Sequence, residues 1–130
     1  MNPLTNHEEE IISMVNMTTK VSASKVEDFS KKYQSLVNNL EPNSLSFRFS
    51  KTGKNRITLI ERYVNSDAVI NHIKNISQGG EISKDFEEFQ RVFSINEITI
   101  YGNVSDELKK AIAPFKIKTS YVPVIAGYSR

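Results

Sequence analysis

Glu61-Arg62-Tyr63-Val64-Asn65-Ser66-Asp67-Ala68, followed one helical turn later by His72, is the stretch that decides the fold. The residues leading into it, Ile57-Thr58-Leu59-Ile60, are β-branched or apolar, so the segment through Val64 reads as a strand ending on a glutamate and an aromatic ring. Asn65 or Ser66 can cap the helix that follows. Asp67 suits the positive end of its dipole, and Val69, Ile73 and Ile76 form its apolar stripe. A strand, a capped turn and a helix carrying a titratable histidine form the unit around which the other elements arrange themselves.

Upstream, Leu45, Phe47 and Phe49 alternate with Ser44, Ser46, Arg48 and Ser50, the period of two expected of a strand. The turn residues Lys51-Thr52-Gly53-Lys54-Asn55 then join this strand to the next as a hairpin. The β-branched run Ile11 to Val21 predicts a first strand. Ser24-Lys25-Val26-Glu27 has the pattern of a capping box, and Val26, Phe29, Tyr33, Leu36, Val37 and Leu40 keep the spacing of an amphipathic helix that Pro42 stops.

Downstream, Gln78-Gly79-Gly80 breaks the second helix, and Phe86, Phe89 and Phe93 predict a short one over 83–93. Ile95 to Asn103 returns to strand character. Ser105-Asp106-Glu107 opens a last helix lined by Leu108, Ala111, Ile112 and Phe115 and limited by Pro114. Lys118 to Tyr128 reads as a final strand, with Pro123 arguing for an edge position, a bulge, or an arm that pairs outside its own sheet.

The order β-α-β-β-α-(α)-β-α-β is an α+β, ferredoxin-like split β-α-β layout: an antiparallel sheet with helices on one face. Residues 1–10 are polar and acidic and read as a flexible N-terminal tail, leaving 11–130 as one domain. The sheet's other face has no cover. Apolar side chains fall on both strand faces (Ile57, Leu59 and Tyr63 against Ile60 and Val64), which calls for a partner or ligand, most simply a second copy in a homodimer.

Composition narrows the function classes. The 130 residues contain no cysteine, so disulfides, thiolate metal sites and cysteine nucleophiles are excluded, which fits a cytoplasmic protein. No window approaches the roughly 20 apolar residues of a membrane span. The 17 basic and 15 acidic side chains are interspersed, so the net charge of +2 implies no nucleic-acid partner. Lys109, Lys110, Lys116 and Lys118 read as dipole partners and solubilisers near a helix end. His7 and His72 lie too far apart in sequence to suggest a metal set, and Gly79-Gly80 lacks the Lys-Ser or Lys-Thr of a phosphate loop.

Taken in order, Glu41-Pro42, the strand Ser44 to Ser50, Glu61-Arg62-Tyr63 with Asp67-Ala68 and His72, Ile98-Thr99-Ile100-Tyr101-Gly102 ahead of Ser105-Asp106-Glu107-Leu108, and the terminal Gly127-Tyr128-Ser129-Arg130 resemble the antibiotic biosynthesis monooxygenase domain family. The likeness runs from about residue 12 to the end. It implies a ferredoxin-like protomer of the dimeric α/β-barrel superfamily, paired with a second copy through its sheet face, with a small-molecule pocket between sheet and helices. Members include cofactor-independent oxygenases of phenols and quinols, haem-degrading oxygenases, and isomerases of small metabolites. Haem-degrading members use an asparagine on the first strand, a tryptophan and an iron-binding histidine. Asn16 and His72 match two of these, but the chain has no tryptophan, which argues against haem degradation.

The expectation is therefore a monooxygenase-like protein that needs no cofactor and acts on or binds a small aromatic or quinol-type metabolite. His72 is the candidate base, because imidazole exchanges a proton near neutral pH; bordering the apolar stripe, it can equally serve a structural hydrogen bond. Glu61 shares a strand face with Leu59 and Tyr63 and is a candidate acid with a raised pKa, or else the partner of Arg48 or Arg62 or an interface contact. Asn16, Tyr63, Phe47 and Tyr101 are candidate substrate contacts, with core packing as the alternative for the aromatic ones. The competing reading is a non-catalytic, dimeric ligand-binding or structural module of the same fold.

Overall fold

A computed structural model describes residues 6–130; the part of the expected tail formed by residues 1–5 lies outside the described residues. The elements run β1 (Ile11–Thr19), α1 (Ala23–Leu40), β2 (Ser44–Gly53), β3 (Arg56–Tyr63), α2 (Ser66–Ile76), α3 (Ser83–Val92), β4 (Phe93–Tyr101), α4 (Asp106–Ile112), a 3-10 turn over Ala113–Phe115, and β5 (Thr119–Val122). The sheet order is β2-β3-β1-β4-β5. The first four strands pair antiparallel in the expected ferredoxin-like arrangement.

β5 departs from expectation. It is four residues long, not eleven as Lys118 to Tyr128 would make it, and it lies parallel to β4, so the sheet is mixed. Pro123 explains the short length, since it has no amide to donate to the ladder. The chain beyond it crosses back, and Ser129 meets Arg62 and the backbone of His7. Glu10 forms an ion pair with Arg62, so residues 7–10 are tied to the domain.

Period two sorts the strands into two faces. Ile11, Ser13, Val15, Met17 and Thr19 of β1 are buried on the helix side, and the residues between them are half-buried on the other. The register places Val15 opposite Leu59 and Ser13 opposite Glu61, which therefore share the helix side. On the far side Ile12, Met14 and Ile60 lie among Asn16, Thr58 and Arg62.

α1 buries Phe29, Tyr33 and Val37 as its spacing predicts. Its cap is Ser22, which accepts from the Lys25 amide, and not Ser24. Rings from α1, α3, β2 and β4 meet in one core, with Phe89 within 5.0–6.1 Å of Phe29, Tyr33, Phe49, Phe86 and Phe93. A second apolar cluster joins Tyr63, Val69, Ile100, Leu108 and Ile112 under α2 and α4. No helix among the described residues is long and apolar enough to cross a membrane.

Candidate active site

The seam between these two clusters holds four polar side chains. Asn65 caps α2 by accepting from the Ala68 amide, and this sets the helix phase so that His72, one turn further on, faces β3 and the end of α1. His72 is buried, at 8% exposure. Its Nδ1 lies 2.8 Å and 2.9 Å from the two carboxylate oxygens of Glu41. Its Nε2 lies 3.6 Å from Oε1 of Glu61, which also accepts a hydrogen bond from the Tyr63 hydroxyl.

Glu41 caps the C-terminus of α1 through its backbone amide and is 3% exposed. Asn75, a further turn along α2, donates to Glu41 Oε2 at 3.1 Å. With both carboxylate oxygens facing Nδ1, the proton belongs on that nitrogen, and the lone pair or second proton belongs on Nε2 beside Glu61.

Burial alone would depress the His72 pKa, but the hydrogen bond that His72 donates to Glu41 and the charges of Glu61 and Glu41 outweigh it and leave it raised. Burial raises the pKa of Glu61, against the opposing pull of His72 and Tyr63. Tyr63 is driven well above its ordinary value, first by burial and then by the adjacent Glu61 charge, so its phenol stays neutral and donates. Glu61 and His72 are thus close enough that the charge on each bears on the ionisation of the other.

These groups line a cavity of about 90 Å³ between sheet and helices, whose other walls include Tyr33, Phe47, Ile73, Ile98 and Ile112. The Phe47 and Tyr63 rings stand 5.9 Å and 5.7 Å from the imidazole. A larger groove of about 500 Å³, between α1 and the β2–β3 hairpin, shares Phe47 with this cavity but none of its titratable groups. The buried titratable groups line the smaller space. Because the two imidazole nitrogens point at different carboxylates, the quartet is not arranged to chelate one ion, and no metal-holding group of three such residues occurs among the described residues.

The structure thus brings Glu61, His72, Tyr63 and Phe47 together, and separates Asn16 and Tyr101 from them. Asn16 pairs with Thr58 on the far face, where it donates to Glu97 and accepts from Thr58. Tyr101 is 40% exposed at the end of β4. Placing Asn16 and Tyr101 in the helix-side pocket is corrected on this point: each alternates with a core residue, Val15 and Ile100, and so points the other way. The alternative ion-pair partners of Glu61 are corrected too, because Arg48 is exposed opposite Ile60 and Arg62 pairs with Glu10 on the far side. Glu41 joins the site without having been singled out by its chemistry. Its signal was a carboxylate at a helix C-terminus, where the dipole disfavours negative charge, immediately before the proline that ends the helix.

No protein-family model matches the sequence, and no curated protein matches it. Solved structures do. MupZ from Pseudomonas fluorescens is 22% identical with a TM-score of 0.68, over 94% of this chain and 95% of its own. SnoaB, a cofactor-independent oxygenase from Streptomyces nogalater, is 9% identical with a TM-score of 0.61, over 75% of this chain and 95% of its own. A candidate antibiotic biosynthesis monooxygenase from Deinococcus radiodurans is 13% identical with a TM-score of 0.56, over 73% and 93%. At such identities the likeness shows the fold: this chain has the α+β protomer fold of the antibiotic biosynthesis monooxygenase structures, as the sequence resemblance implied.

Proposed function

We propose that the protein is a homodimeric, cofactor-independent oxygenase-type enzyme that uses the Glu61–His72 pair to deprotonate a small phenol or quinol held in the helix-side cavity. The observation that carries this reading is an imidazole held by a buried carboxylate on Nδ1 and facing a second carboxylate and the cavity on Nε2. That is the arrangement of an oriented general base, with Glu41 in the positioning role.

In the reaction the pair takes the phenolic proton, and the phenolate gives its electrons to dioxygen. One oxygen atom forms the carbonyl of a quinone and the other leaves as water, so the substrate supplies every electron that reduces dioxygen and no bound cofactor enters the scheme. Tyr63 holds Glu61, and Phe47 offers a face for the substrate ring. The fold shared with SnoaB supports the choice among proton-transfer reactions. The half-buried apolar residues Ile12, Met14 and Ile60 on the far face support pairing of two sheets in the dimer.

The test is oxygen uptake with a panel of phenols and quinols, comparing the wild type with His72→Gln. Uptake that the substitution cuts by about 100-fold or more supports general-base catalysis, which typically contributes that much. A second reading, a binding module without turnover, is favoured by the predominance of isoleucine and phenylalanine in the cavity wall. It is selected if a phenol binds to wild type and His72→Gln alike and neither consumes oxygen.

A further inference from the structure

The rings packed around Phe89 are phenylalanines with one exception. Tyr33, on α1, sits among Phe29, Phe47, Phe49 and Phe89 at ring-centroid distances of 5.1–6.4 Å and is itself 1% exposed. Phenylalanine would fill that place with no polar atom to desolvate, and a tyrosine buried in such a setting ordinarily finds a partner for its hydroxyl. The other tyrosine of the His72 cavity does so, since Tyr63 donates to Glu61. Tyr33 does not. Its hydroxyl makes no hydrogen bond among the described residues.

That hydroxyl is not sealed in the core. Ser30 Oγ is the one buried side-chain polar atom among the described residues with neither a partner nor contact with open space, so the Tyr33 oxygen retains such contact. The space it meets is the His72 cavity, which Tyr33 lines, and not the larger groove, which it does not. Burial, and after it the charges of Glu61, Glu41 and Asp85, hold this phenol's pKa far above its ordinary value, so Tyr33 is a neutral donor at every working pH. The Phe47 ring neighbours both polar groups, 6.0 Å from Tyr33 and 5.9 Å from His72 between ring centroids. The cavity thus has two polar stations on an apolar wall: the Glu61–His72 pair, and a donor at Tyr33 that nothing in the protein uses.

We propose that Tyr33 is a specificity-determining substrate contact, whose hydroxyl donates to a second oxygen on the substrate ring while the first, acidic hydroxyl lies at the Glu61–His72 pair. The substrate class narrows from phenols in general to rings carrying two oxygen functions, of which the dihydroxybenzenes are the simplest. At about 90 Å³ the cavity is far below a drug-sized pocket, which favours a compact ring with short oxygen substituents over one with long chains. This assignment rests on the proposed placing of a phenol in the cavity, and adds to it what the α1 side of the cavity holds.

The experiment measures binding of phenol, catechol, resorcinol and hydroquinone to the whole protein under nitrogen, where neither turnover nor autoxidation intervenes, by calorimetry and by amide and methyl NMR shifts. At least one dihydroxybenzene is expected to bind about fivefold more tightly than phenol, the yield of one neutral hydrogen bond, with shifts at the cavity walls Ile73 and Ile98. Tyr33→Phe keeps the ring and removes only the oxygen. It is expected to abolish that preference while leaving phenol affinity within about twofold. Because the hydroxyl has no partner in the protein, the thermal midpoint of Tyr33→Phe is expected to be no lower than that of the wild type, whereas Tyr63→Phe, which loses the bond to Glu61, is expected to be lower. His72→Gln is expected to keep the preference, so a Tyr33-dependent preference without oxygen uptake leaves this assignment standing when the oxygenase reading has failed; uptake without the preference does the reverse. The proposal is overturned if no dihydroxybenzene binds or none is preferred over phenol, if Tyr33→Phe weakens phenol and the dihydroxybenzenes equally, if the shifts lie outside the cavity walls, or if Tyr33→Phe lowers the midpoint as Tyr63→Phe does.

Discussion

Replacing Glu41 by glutamine keeps the shape of the side chain and removes the charge that faces His72 Nδ1 at 2.8 Å and 2.9 Å. Both partners are buried, at 3% and 8% exposure, so solvent does little to screen the loss. A hydrogen bond to a charged group is worth about 1.5–3 kcal/mol, and a pKa unit is about 1.4 kcal/mol. The His72 pKa is therefore expected to fall, because the burial that opposes ionisation is no longer offset by Glu41. The assay is an NMR titration of imidazole nitrogens. The chain has two histidines, and His7 provides a reference signal in the same sample. The variant should also reach the base state of the proposed reaction at lower pH. A His72 pKa that stays put or rises in Glu41→Gln would refute the claim that this carboxylate holds the imidazole in its charged form.

The same groups set a pH dependence of stability. Glu61 and His72 both have folded-state pKa values raised above their ordinary 4.5 and 6.5, so the native state binds more protons than the unfolded chain. Their contribution is complete below those ordinary values and is lost as pH rises through the folded ones. The thermal midpoint should therefore fall as pH rises above 6.5, and His72→Gln should flatten that slope, as read by calorimetry across pH. Phe89→Ala, at the meeting point of five rings, should cost about 3–5 kcal/mol in urea unfolding with an unchanged m-value. Gly102→Ala should cost about 2 kcal/mol or more, because Gly102 has a φ of +130° and a Cβ there would lie 2.7 Å from the Glu10 carbonyl oxygen. Asn16→Ala, on the far face, should leave the His72 titration curve unmoved while costing about 1 kcal/mol of stability.

Most of the fold was legible because alternation and helical spacing are each strong over β2, β3, α1 and α2. What was not legible depended on tertiary partners. Ser22 and Ser24 are equally good caps by chemistry; β1 ends at Thr19, where the Asn55 carbonyl receives its amide, and the turn into the helix then starts at the earlier serine. The parallel pairing of β5 has no local signal, since it is set by where α4 and its 3-10 turn deliver the chain. In the site, Glu61 beside Tyr63 followed from periodicity, whereas His72 only borders the α2 stripe and its inward direction is set by contact with Glu41 and Glu61. Asn16 was expected in the pocket, yet it stands between Val15 and Met17 and so faces away from the surface that they bury. Glu41 was harder, because a glutamate at a helix end is usually solvated and its burial comes from α2 folding across it.

The charge balance of the quartet explains why two carboxylates serve one histidine. With Tyr63 neutral, the raised pKa values of Glu61 and His72 both favour the proton-bound form of the pair, and a proton held there offsets carboxylate charge within the buried group. Removing one proton from the Glu61–His72 pair leaves the buried group one unit more negative, and in the proposed reaction that state is the base. When it takes the proton of a neutral phenol, the negative charge passes to the phenolate and the pair returns to its proton-bound form. Charge is thus moved within the cavity and not created there, which avoids the desolvation cost that a single buried base would face on ionising. An exposed histidine would have no such constraint, but its phenolate would be stabilised by water and would be a poorer electron donor to dioxygen. The rate should accordingly rise with pH through the raised pKa of the pair, and this rise should move to lower pH in Glu41→Gln together with the His72 titration.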